Sequence, residues 1–147
     1  MHLQPTDPKQ WPHPLLALDS SLDVEGVTES TGCNEDDFND LATVFLQEQA
    51  NMKARVEQAA RAMNAHRGTP HWPEAVELLR TAAHELTTSF GIVGARRAES
   101  FSRHTQLRAR KGSALADPPP GDGDLLAAAG ALMDAIGRVG ELLRQRG

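Results

Sequence analysis

The chain has 147 residues, one cysteine and a formal net charge of −5. This length suits a single domain with a sizeable core, and a lone Cys33 excludes an intramolecular disulfide. The acidic balance argues against a nucleic-acid partner, which requires a dominant basic surface. No apolar run approaches the ~20 residues that span a bilayer, and the N-terminus lacks the pattern of a signal peptide. We therefore expect a cytoplasmic protein without membrane contact.

The N-terminal segment carries four prolines within its first 14 residues and shows no helical periodicity. Such composition is typical of non-helical connecting segments. We expect residues 1–20 to form an extended arm and residues 21–147 to form a helical body. Whether Trp11 pins the arm to that body is left open. A short first helix is predicted from Leu15 to Glu29.

A long second helix is predicted from Asn34 to His66. Gly32 is a stop signal and Asn34 an N-cap, and acidic residues occupy the following first turn, where the helix dipole favours them. Apolar side chains then recur with three–four spacing, which predicts one buried stripe. Its members are Phe38, Leu41, Ala42, Phe45, Gln49, Met52, Val56, Ala59 and Met63.

Three further helices complete the pattern. Pro73 suits the first turn of a third helix that runs to Phe90, and Gly91 and Gly94 mark a break after it. A fourth helix, from Ala95 to Lys111, has a thinner apolar stripe. The proline-rich segment 117–124 excludes helix, and Asp124 can cap a final helix that reaches the C-terminus. Such helices pack best as an all-α, antiparallel four-helix bundle with a short extra N-terminal helix.

One histidine lies on the polar side of the third helix. At about 100° per residue, His84 falls ~140° from Leu79, which is at the centre of the apolar stripe. Thr88 and Gly91, one and two turns further on, are small. Because helical side chains lean towards the N-terminus, small residues on this side leave the imidazole accessible to a large group.

The segment AHELTTSFGIVGA, residues 83–95, resembles the signature of histidine-containing phosphotransfer (HPt) domains. The spacing of His84, Leu86, Gly91 and Gly94 matches that signature. Residues 22–49 also resemble the lead-in helix, glycine-containing turn and Phe-Leu-x-Glu helix that open such domains. The resemblance covers the chain from about residue 20 to its end.

The resemblance implies that His84 accepts a phosphoryl group from an aspartate on one receiver domain and donates it to another. The implied partners are a response-regulator receiver domain and a hybrid sensor histidine kinase. No cofactor or nucleotide site of its own is implied, so the protein is not expected to be an enzyme; Mg²⁺ is expected on the partner receiver. A monomer is expected.

Two positions depart from the family signature. Thr87 replaces a Lys that would offer positive charge to the phosphoryl oxygens, and Thr88 replaces a Gly that would let phosphate lie against the helix. Thr88 could bind phosphate through its hydroxyl or bond back to the carbonyl of His84. Positive charge could instead come from Arg80, Arg96 or Arg97, which are always protonated.

Two alternatives to phosphotransfer remain at this stage. The departures at Thr87 and Thr88 are also typical of an adaptor or inhibitor that binds a receiver or kinase but has lost efficient transfer. A structural bundle that self-associates is a weaker possibility. A metal site at His66 and His71 is not expected, because no third and fourth ligand follow at metal spacing.

Overall fold

The computed structural model describes residues 2–110 and 121–146. A single 3₁₀ turn, Pro14–Ala17, precedes five helices, and the described residues contain no strand. None of the described helices combines the length and apolarity needed to cross a membrane. The helices are α1 (Val24–Thr31), α2 (Glu35–His66), α3 (Trp72–Ile92), α4 (Arg96–Arg110) and α5 (Asp122–Arg146).

The four long helices form the predicted bundle. Helix α3 packs against α2 and α4, and α5 closes the ring by packing against α2 and α4. Short connections make consecutive helices antiparallel, so the apolar stripes of all four meet in one core. The largest side chains that are fully buried there are Phe38, Phe90, Phe101, Leu16, Met63, Leu79, Leu86, Leu125, Leu132 and Ile136. Each contributes roughly 1.5–3 kcal/mol by leaving water.

The predicted helix signals of α2 are confirmed. Asn34 accepts a hydrogen bond from the backbone N–H of Asp37, and the Asp37 carboxylate accepts one from the N–H of Asn34, forming a capping box. Gly32 ends α1 with a φ of 72°, in the left-handed region that glycine adopts without steric cost.

The predicted break between α3 and α4 is confirmed at Gly94 but not at Gly91, which remains within α3 because the helix extends to Ile92. Gly94 has a φ of 75°, and a Cβ there would come within 2.7 Å of the Asp23 carbonyl oxygen. The backbone N–H of Asp23 donates to the Gly94 carbonyl at 2.9 Å. Glycine at this turn therefore lets the start of α1 pack directly on the α3–α4 connection.

The short helix predicted before α2 is present, but its predicted start at Leu15 is wrong. Helix α1 begins only at Val24, because Asp19 is hydrogen-bonded to residues that are distant in the sequence. Its buried carboxylate accepts hydrogen bonds from the N–H groups of Arg97 (2.8 Å) and Ala98 (3.1 Å), so it caps α4. The Asp23 carboxylate caps α1 by accepting from the N–H of Gly26. The segment between these two caps is non-helical.

The start of the last helix also differs from the prediction. Helix α5 already includes Asp122, and Asp124 lies within its first turn, where its carboxylate accepts from the N–H of Gly121 at 3.2 Å. Asp124 thus acts as the acidic partner of a cap at Gly121 rather than as the cap itself. Lys111 and residues 117–120 of the predicted boundaries lie outside the described residues.

The N-terminal segment lies against α4. It runs in consecutive turns rather than extended, which agrees with the turn preference of its prolines. Trp11 is buried, its indole N–H donates to Thr105 Oγ1 at 3.0 Å, and its ring packs against Phe101. Ser100 donates to the carbonyl of Pro5. The segment therefore covers the outer side of α4, the helix with the thinnest apolar stripe.

Candidate functional site

His84 lies on the solvent-facing side of α3, as the helical register predicts. Its neighbours Ala83 and Leu86 are buried in the core, whereas His84 itself is exposed. The backbone is regular helix on both sides of it. The imidazole therefore stands on a rigid element and is accessible to a large group, which are the two properties a group-transfer residue requires.

The ring of His84 has one contact from the neighbouring helix. Gln106 on α4 is half-buried, and its side-chain Nε2 lies 3.0 Å from His84 Nδ1. A primary amide can meet this nitrogen in two orientations. Either its N–H donates to a bare Nδ1, or its carbonyl oxygen accepts the proton of Nδ1–H. In the second orientation the lone pair of His84 Nε2 points away from Gln106 and is free to act as a nucleophile.

Sequence reasoning did not identify Gln106. A glutamine on a polar helix face carries no chemical signal, and only the antiparallel pairing of α3 with α4 brings it to His84. Only the register in which α3 packs against α4 would have identified Gln106. Two other pairs share it, Thr87 with Ser102 and Gly91 with Glu99, and both lie between the same two helices.

An open groove begins one turn beyond His84, at Thr87 and Thr88, and follows α3 towards its C-terminus. It has a volume of about 540 Å³ and is bounded by α1 on one side and α4 on the other. Thr87, Thr88 and Gly91 line it on α3, and Arg96, Glu99 and Arg103 line it on α4. The space that the small residues predicted beside His84 is therefore present.

The two threonines of the signature occupy different environments. Thr88 is exposed in the groove, and no hydrogen bond from its hydroxyl to the His84 carbonyl occurs among the described residues. Thr87 is half-buried instead, and its Oγ1 lies 2.8 Å from the Ala83 carbonyl oxygen and 3.0 Å from Ser102 Oγ. Thr88 is thus free to contact a ligand, whereas Thr87 is directed towards α4.

The end of the Glu99 side chain lies against Gly91, so a side chain at position 91 would force Glu99 to move. A Cβ at this position would lie 2.9 Å from Glu99 Oε2, closer than such atoms approach in proteins. The Glu99 side chain is only 20% exposed and forms ion pairs with Arg96 at 3.1 Å and with Arg103 at 3.2 Å. One carboxylate therefore holds two guanidinium groups at the edge of the groove.

The three arginines proposed from the sequence are not brought together. Arg80 donates both Nε and Nη2 to Glu77, one turn before it, and this hydrogen bond lowers the pKa of the Glu77 carboxyl. Arg96 lines the groove, paired with Asp23 and Glu99. Arg97 donates to the carbonyl of Leu15 at 3.4 Å, so its charge is directed at the N-terminal segment and not at the groove. Arg103 takes the remaining basic position beside Thr88 and Gly91.

An apolar depression adjoins the groove on its α2 side. It has a volume of about 100 Å³ and lies between α2 and α3, lined mainly by Leu41, Val44, Met52 and Ile92. Val44 and Ile92 are 55% and 41% exposed. An apolar surface next to a polar, basic groove is typical of a protein-binding surface.

The described residues contain no group of three or more His, Cys, Asp or Glu side chains that could hold a metal ion. The rings of His66 and His71 lie 5.4 Å apart, edge to face. Comparison of the chain with models of protein families, with curated proteins and with solved structures gave no match. The exposed ring of His84 and its contact with Gln106 are therefore the structural basis for a function.

Proposed function

We propose that this protein is a cytoplasmic phosphotransfer protein in which His84 carries a phosphoryl group between receiver-domain aspartates. The observation that carries the proposal is an exposed imidazole whose Nδ1 is held by Gln106, beside an open groove. The resemblance of residues 83–95 to the HPt signature supports the same conclusion.

The transfer would use the free nitrogen of the ring. The structure places the amide nitrogen of Gln106 at His84 Nδ1, so transfer requires the amide to turn until its oxygen accepts the proton of Nδ1–H. The lone pair of His84 Nε2 then attacks the phosphorus of an aspartyl phosphate. The Nε2–P bond forms as the P–O bond to the aspartate breaks, and the aspartate leaves as a carboxylate. The ring becomes positively charged in this step, and the amide oxygen stabilises that charge through the Nδ1–H hydrogen bond.

A receiver would supply the rest of the chemistry. Its Mg²⁺ neutralises charge on the transferring group, so no metal site is required on this chain. The apolar depression at Val44 and Ile92 would bury part of the partner's surface, and Arg96 and Arg103 would face its acidic site. One copy of this chain would suffice for such a complex.

The test uses a donor that needs no partner. Phosphoramidate transfers its phosphoryl group to a histidine nitrogen as its own P–N bond breaks and ammonia leaves. We expect base-stable, acid-labile phosphate on the wild-type chain and on His71→Gln, a control that removes an exposed histidine of the connection before α3. His84→Gln should take up none. Equal phosphate on His84→Gln would refute the site.

The relay itself is tested with receiver domains. Receivers phosphorylated on aspartate with acetyl phosphate should lose their phosphate to the wild-type chain within minutes and not to His84→Gln. A chain that accepts phosphate from phosphoramidate but exchanges none with any receiver of the same organism would refute the relay.

A second candidate function is a binding protein that docks on a receiver or kinase without efficient transfer. The ion pairs favour it, because Arg80, Arg96 and Arg103 are each already bonded to a carboxylate. No unpaired cation among the described residues of the groove therefore replaces the family's Lys. This candidate predicts that His84→Ala binds its partner as tightly as the wild type and keeps its biological effect. Loss of that effect in His84→Ala would exclude it.

A further inference from the structure

A pair of hydroxyl groups joins α3 to α4 beside His84. Thr87 Oγ1 lies 3.0 Å from Ser102 Oγ, and Ser102 is completely buried. The two hydroxyls also contact the carbonyls of Ala83 (2.8 Å) and Glu99 (2.9 Å) in their own helices. The pair has two protons for these three contacts, so one hydroxyl donates to the other helix while its partner donates to the carbonyl of its own helix. We refer to Thr87 and Ser102 as the hydroxyl bridge.

The hydroxyl bridge lies next to the contact between His84 and Gln106. Thr87 follows His84 by three residues on α3, and Ser102 precedes Gln106 by four residues on α4. At 1.5 Å per residue, the two contacts are about 5 Å apart along the antiparallel helices. A displacement of α4 by one residue would rotate Gln106 by about 100° and remove it from the ring. Whatever fixes the register of α4 at Ser102 therefore fixes the position of Gln106.

A hydroxyl pair specifies this register better than an apolar pair would. Hydrogen bonds require particular distances and directions, whereas apolar contacts tolerate sliding. A register that separates the pair would lose this hydrogen bond between the two helices, although each hydroxyl would keep the carbonyl of its own helix. The remaining contacts of α4 close to His84 are different in kind. Gly91 only permits approach, and Glu99 reaches the groove edge through a flexible side chain.

We infer that Thr87 and Ser102 are positioning residues that hold Gln106 against His84 Nδ1 and thereby fix which ring nitrogen bears the proton. Thr87, which stands where the HPt family has a Lys, then offers no charge to the groove and instead fixes the position of Gln106. The inference rests on the proposed function for its consequence, the reactivity of His84 Nε2. Its structural part, the position of the ring proton, can be measured without any phosphoryl transfer.

The experiment compares substitutions that keep the shape of the side chain. Thr87→Val removes the hydroxyl, Thr87→Ser retains it, and Ser102→Ala removes the partner. A matched control is Thr43→Val, since Thr43 donates to the Asn39 carbonyl within α2 and contacts no other helix. The ¹⁵N chemical shifts of the His84 ring in the neutral state report which nitrogen bears the proton. The rate of phosphorylation by phosphoramidate reports the reactivity of Nε2.

We expect a single tautomer of the His84 ring in the wild type, Thr87→Ser and Thr43→Val, and a mixture of tautomers in Thr87→Val and Ser102→Ala. The phosphorylation rate of the two disrupted variants should fall about threefold to tenfold, which is what loss of one ordinary hydrogen bond produces. Thr87→Ser should restore most of that rate. A structural role alone would lower thermal stability without moving the ring proton.

The outcomes separate the two ideas. Wild-type phosphorylation together with unchanged tautomer and rate in Thr87→Val overturns the positioning role and leaves the proposed function intact. A tautomer change in Thr87→Val in a chain that phosphoramidate does not label overturns the proposed function and leaves the positioning role intact. Should Thr87→Val fail to fold, Ser102→Ala provides the same comparison, and a Ser102→Ala chain with wild-type ring shifts overturns the inference.

Discussion

Removal of the Asp19 carboxylate should destabilise the whole bundle. Asp19 is 5% exposed and accepts hydrogen bonds from the N–H groups of Arg97 and Ala98 at the start of α4. Asp19→Ala loses an N-cap, which costs about 0.5–2 kcal/mol. It also leaves buried N–H groups without an acceptor, at about 1–3 kcal/mol. We expect a total loss of about 2–4 kcal/mol in the free energy of unfolding, because the two costs overlap.

The assay is urea unfolding followed by circular dichroism. For a chain of this size the loss corresponds to a fall of roughly 5–15 °C in Tm. Asp19→Asn keeps one acceptor oxygen and should lie between Asp19→Ala and the wild type. Asp40→Ala removes an exposed acid from α2 and is the control, with a change within about 0.5 kcal/mol. A stability of Asp19→Ala within error of Asp40→Ala would refute the long-range cap.

The same residue predicts a pH dependence of known sign. Burial raises the pKa of the Asp19 carboxyl above 3.8, although the N–H bonds from Arg97 and Ala98 lower it in part. The folded chain then retains a proton that the unfolded chain has released. The stability difference between wild type and Asp19→Asn should therefore fall as the pH rises from about 3.8 through the folded-state pKa. A difference that grows with pH would contradict this.

Three further predictions follow from other contacts. Gly94→Ala should lower the free energy of unfolding by at least about 1 kcal/mol, because the residue has a φ of 75° and a Cβ would meet the Asp23 backbone. Burial lowers the pKa of His104 below 6.5, against the backbone hydrogen bond of Thr6, so the wild type should lose stability relative to His104→Gln as the pH falls from 6.5 through the folded-state pKa. Arg103→Glu should slow association with an acidic receiver about tenfold at low salt and less at high salt.

The controls for these three use comparable sites. Gly130→Ala, in α5 with open space around its Cα, should leave stability unchanged or raise it, and equal effects at Gly94 and Gly130 would contradict the packing argument. His104→Asn, a second uncharged substitution, should give the same pH-dependent difference as His104→Gln. Arg61→Glu, on the exposed side of α2, should slow association much less than Arg103→Glu, and similar rates for both would remove the groove from the docking surface.

Most of the fold could be predicted from the sequence because local signals and helical period agree. The Asn34–Asp37 cap, the glycine stops and the apolar stripe of α2 are all encoded within a few residues. The same is true of the outward direction of His84, which depends only on the register of α3. The start of the first helix was wrongly predicted because the partners of Asp19 lie 78 and 79 residues away along the chain. No local pattern reveals such a cap.

The site was predicted less completely for the same reason. The contact of Gln106 with His84 spans 22 residues and two helices. The bonding partner of each arginine depends on which carboxylate or carbonyl group is nearest to it in the folded chain. Arg97 is thus bonded to Leu15, while Arg103, which was not among the arginines selected from the sequence, lines the groove.

The turns before the first helix have a practical consequence for anyone who shortens this protein. A chain that began at Val24 would retain every α-helix and would look complete by helical content. It would nevertheless expose the apolar surface of α4 around Phe101, which Trp11 now shields from water. Such a fragment should aggregate through this apolar surface. A truncation chosen from the helix boundaries alone would therefore give nonspecific association in binding assays.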